Sequence, residues 1–94
     1  MADLNRLLGS IGKKIFIDYY YDFKKPNLDK KALAEKLLRE NPKADSIVGQ
    51  VTRVSCAIRI FKDNLHIEAL DNVINSRVDG STVRKAREIL KQEK

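Results

Sequence analysis

Apolar side chains recur at intervals of three and four residues in five stretches of this chain, the spacing that lines one face of an α-helix. In the first stretch, Leu4 to Phe23, the residues Leu4, Leu7, Leu8, Ile11, Ile15 and Tyr19 share a face. The second runs from Asp29 to about Glu40 and the third from Ser46 to Lys62. The fourth, Leu65 to Asn75, carries Ile67, Leu70, Val73 and Ile74. The last runs from Ser81 or Thr82 towards Glu93, with Val83, Ala86, Ile89 and Leu90 on its apolar face. Residues that end helices or open turns separate these stretches: Gly9 and Gly12 inside the first, then Lys24-Lys25-Pro26-Asn27, Asn41-Pro42, Asp63-Asn64 and Asp79-Gly80-Ser81. Asp45 or Ser46 is placed to cap the third helix, and Asn64 the fourth. The pattern predicts an all-α fold, a compact bundle of four to five helices in which residues 1–94 form one domain.

One segment reads two ways. Ile15-Phe16-Ile17-Asp18-Tyr19-Tyr20-Tyr21 is as rich in β-branched and aromatic residues as a strand. No other segment reads as a strand to pair with it, so a helix apolar on most of its circumference is expected, either central or turned in part towards a partner. Ile17, Tyr20 and Tyr21 lie off the main stripe. They either cover the edge of the core or form an interface with another protein.

The third stretch, SIVGQVTRVSCAIRIFK, carries the functional signal. On a helix, Ile47, Val51, Val54, Ile58 and Phe61 fall in a narrow apolar stripe, and Gly49, Thr52, Arg53, Cys56 and Arg59 gather opposite. The stretch contains Arg53, Arg59 and Lys62 and no acid. A helix of that kind can lie along a phosphate backbone or in a DNA groove. Gly49, Thr52 and Cys56 equally make a small-residue strip against which another helix could pack.

The second and third stretches together resemble the helix-turn-helix of DNA-binding proteins, through Ala32-Leu33-Ala34-Glu35-Lys36-Leu37-Leu38 and then Gln50-Val51-Thr52-Arg53. The first set looks like the supporting helix, the second like the start of a recognition helix. The turn between them, Arg39 to Asp45, is longer than the usual one, and Leu38 stands where a glycine often opens it. The resemblance implies that Gln50 and Arg53 contact base edges, Gln pairing with adenine and Arg with the O6 and N7 of guanine. Ser46, Thr52 and Arg59 would then reach phosphates, aided by the positive helix N-terminus near Ser46. Apart from the resemblance, Lys24, Lys25, Lys30 and Lys31 flank the entry to the second helix and could grip a backbone. Lys31 with Glu35, Glu35 with Arg39 and Lys36 with Glu40 also have the spacing of ordinary solvated pairs.

Composition sharpens the choice of partner. Nineteen Lys and Arg against thirteen Asp and Glu give a formal charge of +6, which favours polyanions. The excess is spread over both halves rather than gathered in a tail. Duplex DNA is expected ahead of RNA, in a regulatory or accessory role such as transcription regulation. The rival is a protein–protein adaptor or inhibitor working through Ile17, Tyr20 and Tyr21 or the small-residue face, and a homodimer is compatible with either.

Enzymatic chemistry is not expected. His66 and Cys56 are single and lie on different helices, with no partner recognisably placed to complete a triad. The residues suggest no metal site, no cofactor and no small-molecule substrate: Asp18 and Asp22 at i, i+4 sit one turn from Lys14, and the glycines match no phosphate-binding loop. The lone Cys56 and the start MADLNRLLGS, which lacks a signal peptide's apolar run, suggest a reducing cytoplasmic setting. No apolar run is long enough for a membrane span.

Overall fold

Gly12 decides the shape of the first third of the chain. In the computed structural model, which describes residues 3–25, 27–41 and 46–93, it has φ +89°, a backbone open mainly to glycine, and its N–H closes α1 (Leu4–Ile11) on the Leu8 carbonyl at 2.8 Å. α2 (Lys13–Asp18) follows and stops at Tyr19, whose φ and ψ of −113° and 21° are no longer helical; α3 (Tyr20–Lys24) resumes at once. The one long segment expected from Leu4 to Phe23 is therefore three short helices. The other four stretches give one helix each: α4 (Lys30–Glu40), α5 (Ile47–Lys62), α6 (His66–Ile74) and α7 (Gly80–Glu93). The fold is all-helical, with seven helices and no strand among the described residues, so Ile15 to Tyr21 is helical apart from the break at Tyr19.

The break at Gly12 also re-aims the apolar face. Leu8 and Ile11 are buried from α1, but after Gly12 the buried residues are Phe16, Ile17, Tyr20 and Phe23, while Ile15 and Tyr19 move to the margin. This corrects the interface suggested for Ile17 and Tyr20. Both are 1% exposed or less, Tyr20 making edge-on contacts with Phe16 and Phe61 at centroid distances of 5.5 and 5.1 Å. Of that trio only Tyr21 reaches solvent, and its hydroxyl donates to Gln92 Oε1 at 3.2 Å.

α5 is the axis of the fold, packed against α1 on one flank and α4 on the other, with α3 and α6 against its C-terminal part. Its start is as expected: Ser46 Oγ accepts from the Gly49 N–H at 3.1 Å. The alternative cap, Asp45, lies outside the described residues, as does most of the turn before it. Its end corrects the role of Asn64. With φ +57°, Asn64 closes a Schellman turn, its N–H bonding Phe61 O and the Leu65 N–H bonding Ile60 O. α6 then begins with no side-chain cap.

α6 and α7 pair as a hairpin, and α2 also packs on α7. Asp79 caps the first turn of α7, its carboxylate accepting from Thr82 N at 3.3 Å, Thr82 Oγ1 at 2.7 Å and Ser81 Oγ. Those bonds, the Ser81 and Thr82 hydroxyls first, hold the Asp79 carboxyl down from 3.8 to about 2. A depressed pKa gives stability that is present above the unfolded value and lost as pH falls through the folded one. Asp79→Ala should therefore melt below the parent at neutral pH, and the gap should narrow between about pH 4 and pH 2. A gap unchanged over that window in circular-dichroism melts would show that the carboxylate is not what secures the turn.

All the buried apolar residues join one cluster, and the molecule measures 31 × 26 × 23 Å. No helix among the described residues is long and apolar enough to cross a membrane.

Candidate nucleic-acid interface

At 100° per residue, the buried sector of α5 is centred on Gln50, Val54, Ala57 and Ile60, and its solvent sector on Val48, Val51, Thr52, Ser55, Arg59 and Lys62. The stripe read from the sequence is turned from this by about 80°. Ile47 and Val51, expected in the core, are each 37% exposed, Val48 is 72% exposed, and Ile58 and Phe61 are half-buried. The cause is packing from two sides. α1 and α4 both pack on α5, and the sector buried by the surrounding helices is the one that carries Gln50, Val54, Ala57 and Ile60.

The proposed base-reading pair is corrected by this rotation. Gln50 is 3% exposed; its Nε2 donates to Ser46 O at 3.4 Å and its Oε1 accepts from Arg53 Nη1 at 3.1 Å. Both polar ends of Gln50 are thus used inside the protein, and Arg53, half-buried, is turned inward to satisfy one of them. Arg53→Ala should lower stability by about 1 to 3 kcal/mol, because it strands a buried acceptor. Denaturant melts read this directly, and a parent-like melt would mean that the Gln50 oxygen is satisfied otherwise.

Ser46 and Thr52 are exposed but occupied, the first in its cap and the second donating to Val48 O at 3.1 Å. Arg59 is exposed, with Asp63 at 3.5 Å. Lys31 is exposed on α4 and does not line the cleft that holds Lys30. Its expected partner Glu35 is not within salt-bridge distance, and Lys36 pairs with Asp22 at 3.3 Å rather than with Glu40, which accepts instead from the Tyr19 hydroxyl at 2.7 Å.

What the structure does bring together is Lys30 and the C-terminal half of α5. A cleft of about 480 Å³ opens between the turn that joins α3 to α4 and the end of α5. Its rim carries Lys24, Lys25, Lys30 and Lys62, and its floor is formed by Phe23, Leu28, Ile58 and Phe61. Lys24 is held by Glu93, whose carboxyl that bond keeps below the usual carboxylate range, and Lys25 lies 3.7 Å from Asp22. Lys30 and Lys62 have no carboxylate within 4 Å among the described residues. Lys62 suits the negative end of α5. Lys30 and Lys31 have no such reason, since they open α4 at its positive end, where no acid stands in the first turn and only the Asp29 cap offsets them.

A second groove lies on the other side of α5. This groove, of about 430 Å³ between α1 and α5, is lined by Asp3, Arg6, Ser10, Thr52, Cys56 and Arg59, and a smaller hollow with Ser55, Ile58, Arg59, Lys62 and Asp63 connects it to the cleft. The small residues Thr52 and Cys56 thus face α1, the helix that packs on that flank.

No family model, curated protein or solved structure matches the chain. The cations at the cleft therefore have to be weighed on chemistry alone. Lys24, Lys25, Lys30 and Lys31 were legible in the sequence as a basic flank at the entry to the second helix, whereas Lys62 read only as a helix-end residue. Elsewhere, His66 stacks on Phe61 at 5.5 Å with Nε2 3.8 Å from Glu93, and Cys56 lies in the α1–α5 groove. No cluster of three or more His, Cys, Asp or Glu occurs among the described residues.

Proposed function

We propose that this chain is a non-enzymatic nucleic-acid-binding module that grips the sugar–phosphate backbone through the lysine-rimmed cleft between the α3–α4 turn and the end of α5. The observation that carries the reading is the meeting of Lys30 and Lys62, both exposed and without carboxylate partners among the described residues, across a concave surface that also holds Lys24 and Lys25. Phosphate contacts of this kind supply affinity and position but not sequence preference. In this reading α4 contributes Lys30 and α5 contributes Lys62, while Gln50 and Arg53 serve the fold.

Titration of labelled random-sequence oligonucleotides by fluorescence anisotropy tests this. The affinity should fall log-linearly with salt as counterions are released. Undetectable binding at about 50 mM salt, or affinity insensitive to salt, sinks the reading.

A second reading is favoured by Ile47, Val48 and Val51, which expose an apolar edge on the first turns of α5. Such an edge suits a protein partner or a second copy of the chain. Binding there would change little with salt and would be lost in Val48→Asp, which should leave the cleft's affinity for nucleic acid intact.

A further inference from the structure

We infer that the cleft takes a single nucleic-acid strand rather than a duplex, an inference that rests on the nucleic-acid reading above. A duplex offers its surroundings a shell of phosphates and reads out its bases only to an element that enters a groove. The start of α5, the expected recognition element, does not offer one. The solvent sector in the first turns of α5 is Val48, Val51 and Thr52, and the polar side chains that would read a groove, Gln50 and Arg53, face the protein.

The cleft has the opposite shape. It is concave, its charges sit at the rim, and Leu28, Ile58 and Phe61 at its bottom are each half-buried rather than covered. An ordinary phosphate-binding surface gains nothing from three apolar side chains held open to water beneath four lysines. A single strand uses both layers: its phosphates meet the rim, while an unstacked base, flat and weakly polar on its faces, covers the floor. Phe61 supplies an aromatic surface there, itself fixed by contacts with Phe16, Tyr20 and His66.

The cations also form a track. From Lys24, Lys25 and Lys30 on one side of α5 the surface passes Lys62 and Arg59, which are separated by about 4.5 Å along the helix axis, and continues to Arg6 on the α1 side; Asp63, paired with Arg59, and Asp3 are the two acids along it. A strand crossing α5 at Arg59 and Lys62 would have positive charge on both sides of the helix. On a face of a molecule 31 × 26 × 23 Å, the site size belongs at the lower end of the roughly 4 to 16 nucleotides typical of small single-strand-binding domains.

The test compares three probes of about 15 nucleotides at about 50 and 200 mM salt: oligothymidine, an abasic deoxyribose-phosphate oligomer of equal length, and a random duplex. Oligothymidine should bind about tenfold or more tighter than either of the others. Leu28→Ser, at the margin of the core, should lower oligothymidine affinity while leaving abasic binding unchanged, with some loss of melting temperature because Leu28 packs on the core edge. Methyl resonances of Leu28 and Ile58 in the parent should shift with oligothymidine and not with the abasic oligomer, which reads the same contact without a substitution. A duplex bound as tightly as oligothymidine overturns the single-strand inference and leaves the backbone-binding reading standing. Equal affinity for oligothymidine and the abasic oligomer also overturns it, since no base then enters the cleft. If none of the three probes binds at low salt, both readings fall together.

Discussion

Replacing Lys30 and Lys62 together by alanine should weaken nucleic-acid binding by about 100-fold at 50 mM salt and by about tenfold at 200 mM. The numbers follow from counterion release. Each phosphate contact contributes about 0.7 to the salt slope for a single strand and about 0.9 for a duplex, so two lost contacts lower its magnitude by about 1.4 to 1.8. Because that contribution scales with the logarithm of salt, it is largest when salt is dilute. Both side chains are exposed and neither holds a carboxylate among the described residues, so melting should fall only slightly, by the loss of Lys62 at the negative end of α5. Lys31→Ala serves as the control: it removes the same charge from the same helix, off the cleft, and should cost only a small part of this. Parent-like affinity and slope in the double variant would mean that the cleft is not the site, whatever else the protein binds.

Tyr20→Ala should cost about 3 to 5 kcal/mol, a large share of the roughly 5 to 15 kcal/mol that stabilises a domain of ordinary size. The ring is fully buried between Phe16 and Phe61, and removing it leaves a cavity where α2, α3 and α5 meet. Tyr20→Phe should behave quite differently. The Tyr20 hydroxyl is buried, and burial first, then the nearby Glu93 carboxylate, pushes its pKa up; no partner lies in hydrogen-bonding geometry, so phenylalanine gives up only the longer approach to Glu93 and sheds a poorly satisfied polar group. Urea denaturation of the two variants should show one strongly destabilised and the other equal to or above the parent. A destabilised Tyr20→Phe would show that the hydroxyl has a partner in solution, and a parent-like Tyr20→Ala would return the ring to the surface and revive the interface first considered for it.

Much of the secondary structure was legible because its causes are local. The limits of α4, α5 and α7 follow from Asp29, Ser46 and Asp79, whose oxygens accept from backbone N–H groups no more than three residues away. Gly12 was visible as an interruption for the same reason. Tyr19 was not: nothing in its own chemistry ends a helix, and the break there accompanies packing of Phe16 and Tyr20 against Phe61, a residue of α5. Asn64 was recognised as a boundary but given the wrong task, since an Asn between two helices can cap the second or turn the first, and the second outcome brings Leu65 onto the core.

The sequence by itself determined that the chain is helical, where most of its helices start and stop, and that its charge favours anions. These depend on spacing, caps and composition, which are properties of neighbouring residues. Only the tertiary structure decided which side of α5 faces the core. Apolar residues cover more than half of that helix, so its own pattern admits several orientations, and the choice fell to α1 and α4, which bury Gln50 and leave Val48 in water. The same packing brought Lys30 to Lys62 and set Leu28, Ile58 and Phe61 beneath them. A pairing of side chains on two helices depends on how the helices are rotated and placed, and no periodicity within either one encodes it.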